Sequence, residues 1–148
     1  MSTMITNFMY RKQHKNKFII HIIEMYADES KISSGKHMIC DIKQIKNTAL
    51  LNNLDGIKNV LDIICKKYDF RCLNVVEHVF SPAGISILYL LSESHISIHT
   101  FPERNYFALD IYTCREYTDN LVYENIYGYL VEIFEAKRET PVILDRYF

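Results

Sequence analysis

The stretch Glu93-Ser94-His95-Ile96-Ser97-Ile98-His99-Thr100-Phe101-Pro102-Glu103 limits most strongly how this chain can fold. Ile96 and Ile98 alternate with Ser97 and His99, a period of two that belongs to a strand. As a strand it sets His95, Ser97 and His99 on one face. The apolar run Ile85-Ser86-Ile87-Leu88-Tyr89-Leu90-Leu91 lies just upstream. An alternating strand usually offers water one or two polar side chains. Here a hydroxyl and two imidazoles share a face, with a carboxylate at each end of the segment. That composition suits either a solvated sheet face or a chemical site.

Other segments take their places around this strand. His37 to Ile42 reads as a first core strand. From Gly56 the apolar positions Ile57, Val60, Leu61, Ile64 and Tyr68 follow helical spacing, with Asp55 as N-cap. Arg71 to Phe80 and Ile85 to Leu91 read as strands around the turn Ser81-Pro82-Ala83-Gly84. Tyr106 to Thr113 follows as a further strand. A second helix is predicted over Asn120 to Ala136, its stripe made by Val122, Ile126, Tyr129, Leu130, Ile133 and Phe134. Pro141 to Tyr147 is a last extended piece. Strands grouped with two helices predict an α+β two-layer sandwich, a mostly antiparallel sheet with both helices on one face.

The 148 residues suffice for one domain with a real core, not for two. A net charge of −1 gives no pull toward nucleic acid or an anionic membrane. The longest apolar run falls well short of a bilayer span. Cys40, Cys65, Cys72 and Cys114 form no CxxC pair, and no secretory signal precedes them. They read as reduced thiols of a cytoplasmic protein. Residues 1–34 read as an N-terminal extension to a domain at 35–148. The extension carries the basic cluster Arg11-Lys12-Gln13-His14-Lys15-Asn16-Lys17, read as a solvated face. Phe18-Ile19-Ile20-His21-Ile22-Ile23, too apolar to stand free, is predicted as an added edge strand or a packed segment, and Asp28 to Gly35 as a loop.

The order of residues in the central strand carries a resemblance. ESHISIHTFPE, with HVFSPAGIS upstream (His78 to Ser86) and ALDIYTC downstream (Ala108 to Cys114), resembles the bacterial-type S-adenosylmethionine decarboxylase family. That family has an ESHLTIHT-W/Y/F-PE core, an FxPxGVS turn and a TCG. Gly35-Lys36-His37 is similar to its opening Gly-Arg-His. Several chemically unusual residues agree at fixed spacings, which makes the signal specific.

The resemblance implies a self-processing enzyme whose cofactor is a covalent pyruvoyl group made from Ser94. Decarboxylating an α-amino acid needs an electron sink, which no ordinary side chain supplies. In the implied route Ser94 attacks the Glu93 carbonyl, the resulting ester eliminates, and the chain parts between Glu93 and Ser94. Ser86 is the implied oxyanion donor and His99 the implied base of this step. In turnover the substrate amine forms a Schiff base with the ketone, and Cys114 is the implied proton donor to carbon. Phe80 and Glu103 carry over as adenine-stacking and ribose contacts, and Phe101 lines the same pocket. No metal is called for. The implied active unit is a homodimer, with Ser86 and His99 of one protomer serving Ser94 of the other. The implied substrate is S-adenosylmethionine, and the product is the aminopropyl donor for spermidine synthesis.

Each residue also has a plain explanation: Cys114 as a buried apolar residue, His99 as a hydrogen-bonded structural histidine, Ser86 as a turn residue, Glu103 as a solvated acid. His95 keeps its plain reading, since no step needs it. Two other functions compete. One is a pyruvoyl-dependent ornithine or arginine decarboxylase on the same fold; the other is a non-catalytic regulatory subunit. The chain departs from the family pattern at Arg115 (Gly after TC), at Arg104-Asn105-Tyr106, at Ile87-Leu88-Tyr89 and at Asp41. Such bulk and charge near a pocket bear on substrate preference.

Overall fold

The computed structural model describes residues 32–148, so the basic cluster at 11–17, the apolar segment at 18–23 and residues 28–31 of the loop predicted over Asp28 to Gly35 lie outside the described residues; residues 33–35 of that loop are instead the start of a strand. The elements are β1 (Ser33–Ile42), α1 (Leu54–Lys67), β2 (Arg71–Val79), β3 (Ile85–Ser92), β4 (Ser94–Phe101), β5 (Tyr106–Thr113), α2 (Leu121–Ile133) and β6 (Val142–Tyr147). Short 3-10 turns occupy Thr48–Asn52 and Pro102–Arg104. Residues Ser34–Arg146 form one compact unit. Beyond it, the Phe148 N–H donates to the Ile32 carbonyl.

The strands make one six-stranded sheet in the order β2-β3-β4-β5-β1-β6. The pairings of β2 with β3, β3 with β4, β4 with β5 and β5 with β1 are all antiparallel. Period-two patterning decides the faces. On β4, Ile96, Ile98 and Thr100 are buried beneath the helices while His99 and Phe101 are exposed. On β5, Phe107, Leu109, Ile111 and Thr113 are buried, and the residues between them are only half-buried. The sheet therefore has one face packed on both helices and one open face, as expected of an antiparallel sheet in a two-layer α+β sandwich.

Both helices differ in detail from the sequence expectation. Asn53, not Asp55, caps α1: its side chain accepts from the Gly56 N–H at 2.9 Å. Asp55 sits in the first turn, where its charge favours the positive end of the helix dipole. Ile57, Val60, Leu61 and Ile64 are buried as predicted, joined by Cys65, whereas Tyr68 is half-buried at the C-cap. On α2 the buried face is Tyr123, Ile126, Tyr127, Leu130 and Val131, followed by Phe134. Val122, Tyr129 and Ile133 only flank it. An apolar stripe misses the tyrosines because their hydroxyls must find partners inside, and here they do. Tyr123 bonds Thr113 Oγ1 at 2.7 Å and donates to the Lys36 carbonyl at 3.1 Å, tying α2 to β5 and β1. Burial is the main cause that pushes this phenol up to about 12. Tyr127 accepts from the Glu139 N–H at 2.6 Å.

Gly35 fixes how closely β1 approaches β5. Its φ of +118° is a region that side chains avoid, and a Cβ there would stand 2.0 Å from the Thr113 carbonyl and 2.7 Å from the Cys114 Cα. Gly35→Ala is expected to cost more than about 3 kcal/mol, measured by urea unfolding, because backbone rather than a flexible side chain has to move.

Candidate functional site

Ser94 begins β4 directly after a turn so short that Leu91 already pairs with Ser94. The two residues between them are Ser92 and Glu93, with Glu93 exposed. Ser94 holds a φ of +121°, unusual for a residue with a side chain. Such a conformation stores on the order of 1–3 kcal/mol of strain and persists only where the surroundings enforce it. The enforcement is visible on both flanks. Ser94 pairs with Leu91 on β3 and Thr113 on β5, and the Cys114 N–H donates to the Glu93 carbonyl at 3.4 Å. The oxygen that would take negative charge if Ser94 attacked this carbonyl already faces a backbone donor.

Cys114 stands just past the end of β5 and is exposed. Buried Cys40 and Cys65 contrast with it, because desolvation holds both thiols up to about 12 and so protonated and unreactive. Thus the plain reading of Cys114 as a buried apolar residue does not hold in the described chain.

The remaining predicted residues gather at the other end of the hairpin. Ser86 on β3 pairs across from His99 on β4, and Ser86 Oγ lies 2.8 Å from His99 Nδ1 on the open face. Phe101, two residues further on, stacks on Tyr106 at 5.3 Å between ring centres. Phe80 is half exposed beside His78, 4.5 Å between ring centres, and its N–H donates to the Gly84 carbonyl at 2.8 Å, closing the turn. Glu103 lies in the 3-10 turn with its side chain 62% exposed, near Arg104 at 3.5 Å. Ser86, His99, Phe80, Phe101 and Glu103 thus cluster at one end, and Glu93, Ser94 and Cys114 at the other. Five residue steps of extended strand carry the chain from Ser94 to His99, about 17 Å. One chain does not bring the two groups together.

The departures from the family pattern resolve unevenly. Arg115 points away from the open face: its guanidinium donates to the Tyr68 carbonyl at 3.1 Å and to the Asp69 carbonyl, and lies 5.5 Å from the Phe70 ring centre. It clamps the link between α1 and β2 and adds no charge to the site. Ile87 and Tyr89 face the helices, where Tyr89 donates to Asp62 at 2.9 Å, and only Leu88 reaches the open face. Asp41 accepts from the Tyr106 hydroxyl at 2.6 Å, so two departures hold each other on the open face. Asn105 takes a left-handed turn conformation at φ +48°.

The sequence reading missed two features. One is the Cys114 backbone donor, which no side-chain pattern announces. The other is a cluster on the open face in which His37 and His95 both approach Asp110. Strand parity alone sets Asp110 on one face with Cys114, but the neighbourhood of β1, β5 and β4 has to be known before His37 can join it.

Residues 36–147 match the family model for S-adenosylmethionine decarboxylase. A protein of Thermodesulfovibrio yellowstonii named S-adenosylmethionine decarboxylase proenzyme is 35% identical over 112 residues, covering 76% of this chain and 80% of that one. The like-named protein of Prochlorococcus marinus is 34% identical over 115 residues, covering 74% and 93%. The crystal structure of the adenosylmethionine decarboxylase from Aquifex aeolicus superposes with a TM-score of 0.68 at 25% identity, covering 78% of this chain and 92% of that one.

Replacing Arg115 by glycine is expected to leave the site geometry intact. It should lower stability by about 1–2 kcal/mol in thermal or urea unfolding, since two backbone carbonyls lose charged donors.

Proposed function

The chain belongs to the S-adenosylmethionine decarboxylase family, a family of carboxy-lyases, and we propose that it cuts itself between Glu93 and Ser94 and works as a homodimer. In this reading residues 35–148 are the decarboxylase domain and residues 1–34 an extension to it. The observation that carries the proposal is the split of the reactive groups. Ser94 with its Glu93 carbonyl and Cys114 occupies one end of the hairpin, and the bonded pair Ser86–His99 the other. A second copy turned end for end across the open face would set His99 of one chain beside Ser94 of the other. Ile39, Leu88 and Leu90 leave that face apolar and exposed, as a covered surface requires.

Processing then follows from this chain's own groups. Ser94 Oγ attacks the Glu93 carbonyl carbon while the Cys114 N–H, joined by Ser86 of the second copy, donates to the developing oxyanion. The adduct then collapses by breaking the bond between the Glu93 carbonyl carbon and the Ser94 nitrogen, the hydroxyl proton passes to that nitrogen, and an ester remains. His99 of the second copy removes the Ser94 α-proton as the Glu93 carboxylate leaves. Hydrolysis of the remaining enamine nitrogen releases ammonia and leaves a pyruvoyl group at residue 94. The strain at Ser94 helps, because its Cα becomes trigonal and the side-chain clash at φ +121° disappears. Fragments 1–93 and 94–148 stay together through the β3–β4 ladder.

The pyruvoyl ketone supplies the electron sink for decarboxylation. The chain's own residues supply the rest: exposed Cys114 delivers a proton to carbon, Phe80 and Phe101 give aromatic faces to an adenine, and Glu103 accepts from ribose hydroxyls. Exposed rings at one end favour a nucleoside over ornithine or arginine, which bring no aromatic face to stack. S-adenosylmethionine is therefore the substrate, and its decarboxylated product the aminopropyl donor for spermidine synthesis.

Intact-mass measurement of the purified protein should find fragments of residues 1–93 and 94–148, the second blocked at its N-terminus by a ketone, while Ser94→Ala remains whole. Cutting of Ser94→Ala at the same bond would refute the mechanism. Sharing between chains has its own test. Ser94→Ala and His99→Ala chains are each expected to stay whole when made alone; when they are co-expressed, the His99→Ala chain should be cut, because its partner brings an intact His99. If the mixture stays whole, the composite site is wrong.

A further inference from the structure

His37, His95 and Asp110 come from three neighbouring strands, β1, β4 and β5. The ladder sets His95 and His37 on either side of Tyr112, and Asp110 lies one pleat along on the same open face. One donor atom from each of the three falls within 4.8 Å of the other two. His95 Nε2 is 3.4 Å from Asp110 Oδ1, and His37 Nε2 hydrogen-bonds the same oxygen. The processing and turnover steps use none of the three.

We propose that His37, His95 and Asp110 form a binding site for a divalent transition-metal ion of the zinc or cobalt class. Two imidazoles and one carboxylate are the donor set that such ions prefer over magnesium or calcium. A tetrahedral ion with bonds of about 2.0–2.1 Å holds its ligand atoms about 3.3–3.4 Å apart. The His95–Asp110 separation already has this value. Seating the ion requires the His37–Asp110 contact to open slightly, and the fourth position is left to water. All three ligands belong to one chain, so the site does not rest on the dimer reading or on the pyruvoyl group.

A fourth residue sets the affinity. Arg146 Nη1 is 3.1 Å from His37 Nδ1, and its guanidinium carbon lies 5.2 Å from the Tyr112 ring centre. Arginine only donates, so it keeps Nδ1 as the acceptor and places the His37 proton on Nε2, toward Asp110. A metal needs the opposite tautomer: the Nε2 lone pair on the ion and the proton on Nδ1. Arg146 therefore opposes the ion both by tautomer and by charge. A carbonyl at the same place would instead accept from Nδ1–H, the usual outer partner of a metal-bound histidine.

Cobalt(II) is the probe, titrated into the full-length protein and followed by its visible absorption. The expected result is one ion per chain, with a spectrum of nitrogen and oxygen ligands and no thiolate charge-transfer band. Asp110→Asn and His95→Ala should each weaken binding at least tenfold. Arg146→Gln, at an exposed position, should tighten it by about tenfold. The proposal is overturned by titration without saturation, by a thiolate band pointing to Cys72 or Cys114, by equal affinity in Asp110→Asn, or by weaker binding in Arg146→Gln.

Discussion

The register between β3 and β4 governs the rest of this molecule. Leu91 opposite Ser94 and Ser86 opposite His99 are two ends of one antiparallel ladder. Once a two-residue turn closes it, the hydroxyl at Ser94 and the imidazole at His99 lie about 17 Å apart along a strand. Neither can move toward the other without slipping the ladder. A slip by one residue would carry Ile96 and Ile98 out of the core and the histidines into it. The burial of those isoleucines therefore keeps the reactive groups apart within one chain.

The same ladder, rather than the turn, holds the two strands together. The two-residue turn at Ser92 and Glu93 is the direct covalent connection between β3 and β4, but it contributes little to their association. Backbone hydrogen bonds on either side and the common core beneath hold the strands. Strain is concentrated at Ser94, while the residues after it on β4 follow an ordinary extended pattern of alternating burial. The tight turn thus localises the conformational cost at Ser94.

Much of this was legible in the letters because period-two alternation and turn residues report directly on the sheet. The five core strands and the final extended segment appear at the predicted places, as does the helix stripe from Ile57 to Ile64. What the letters hid was of another kind. Asn53 rather than Asp55 caps α1 because capping depends on where the backbone enters the helix, and both residues are competent caps. Tyr123 and Tyr127 turn inward because Thr113, Lys36 and Glu139 offer their hydroxyls partners from distant parts of the chain. Arg115 looked like a charge added to a pocket, yet the carbonyls of Tyr68 and Asp69 draw it to the far side of the sheet end. For the tyrosines and Arg115 the deciding partner lay outside the local window.

Asp110 shows how one sheet face can serve two purposes. Along β5, Asp110, Tyr112 and then Cys114 share parity, so the strand that brings Cys114 beside the Glu93 carbonyl also sets a carboxylate on the open face four residues earlier. An ionised carboxylate there, only partly exposed, needs donors, and the adjacent strands supply them as His37 and His95. With Arg146 on the far side of His37, a permanent cation and the Asp110 carboxylate face opposite nitrogens of one ring. Remove that cation and the ring's proton is free to choose the other nitrogen, which turns a hydrogen-bond relay into a pair of open lone pairs facing a carboxylate. The chemistry of this face is thus set by an exposed arginine near the end of the chain as much as by the buried strands that carry the histidines.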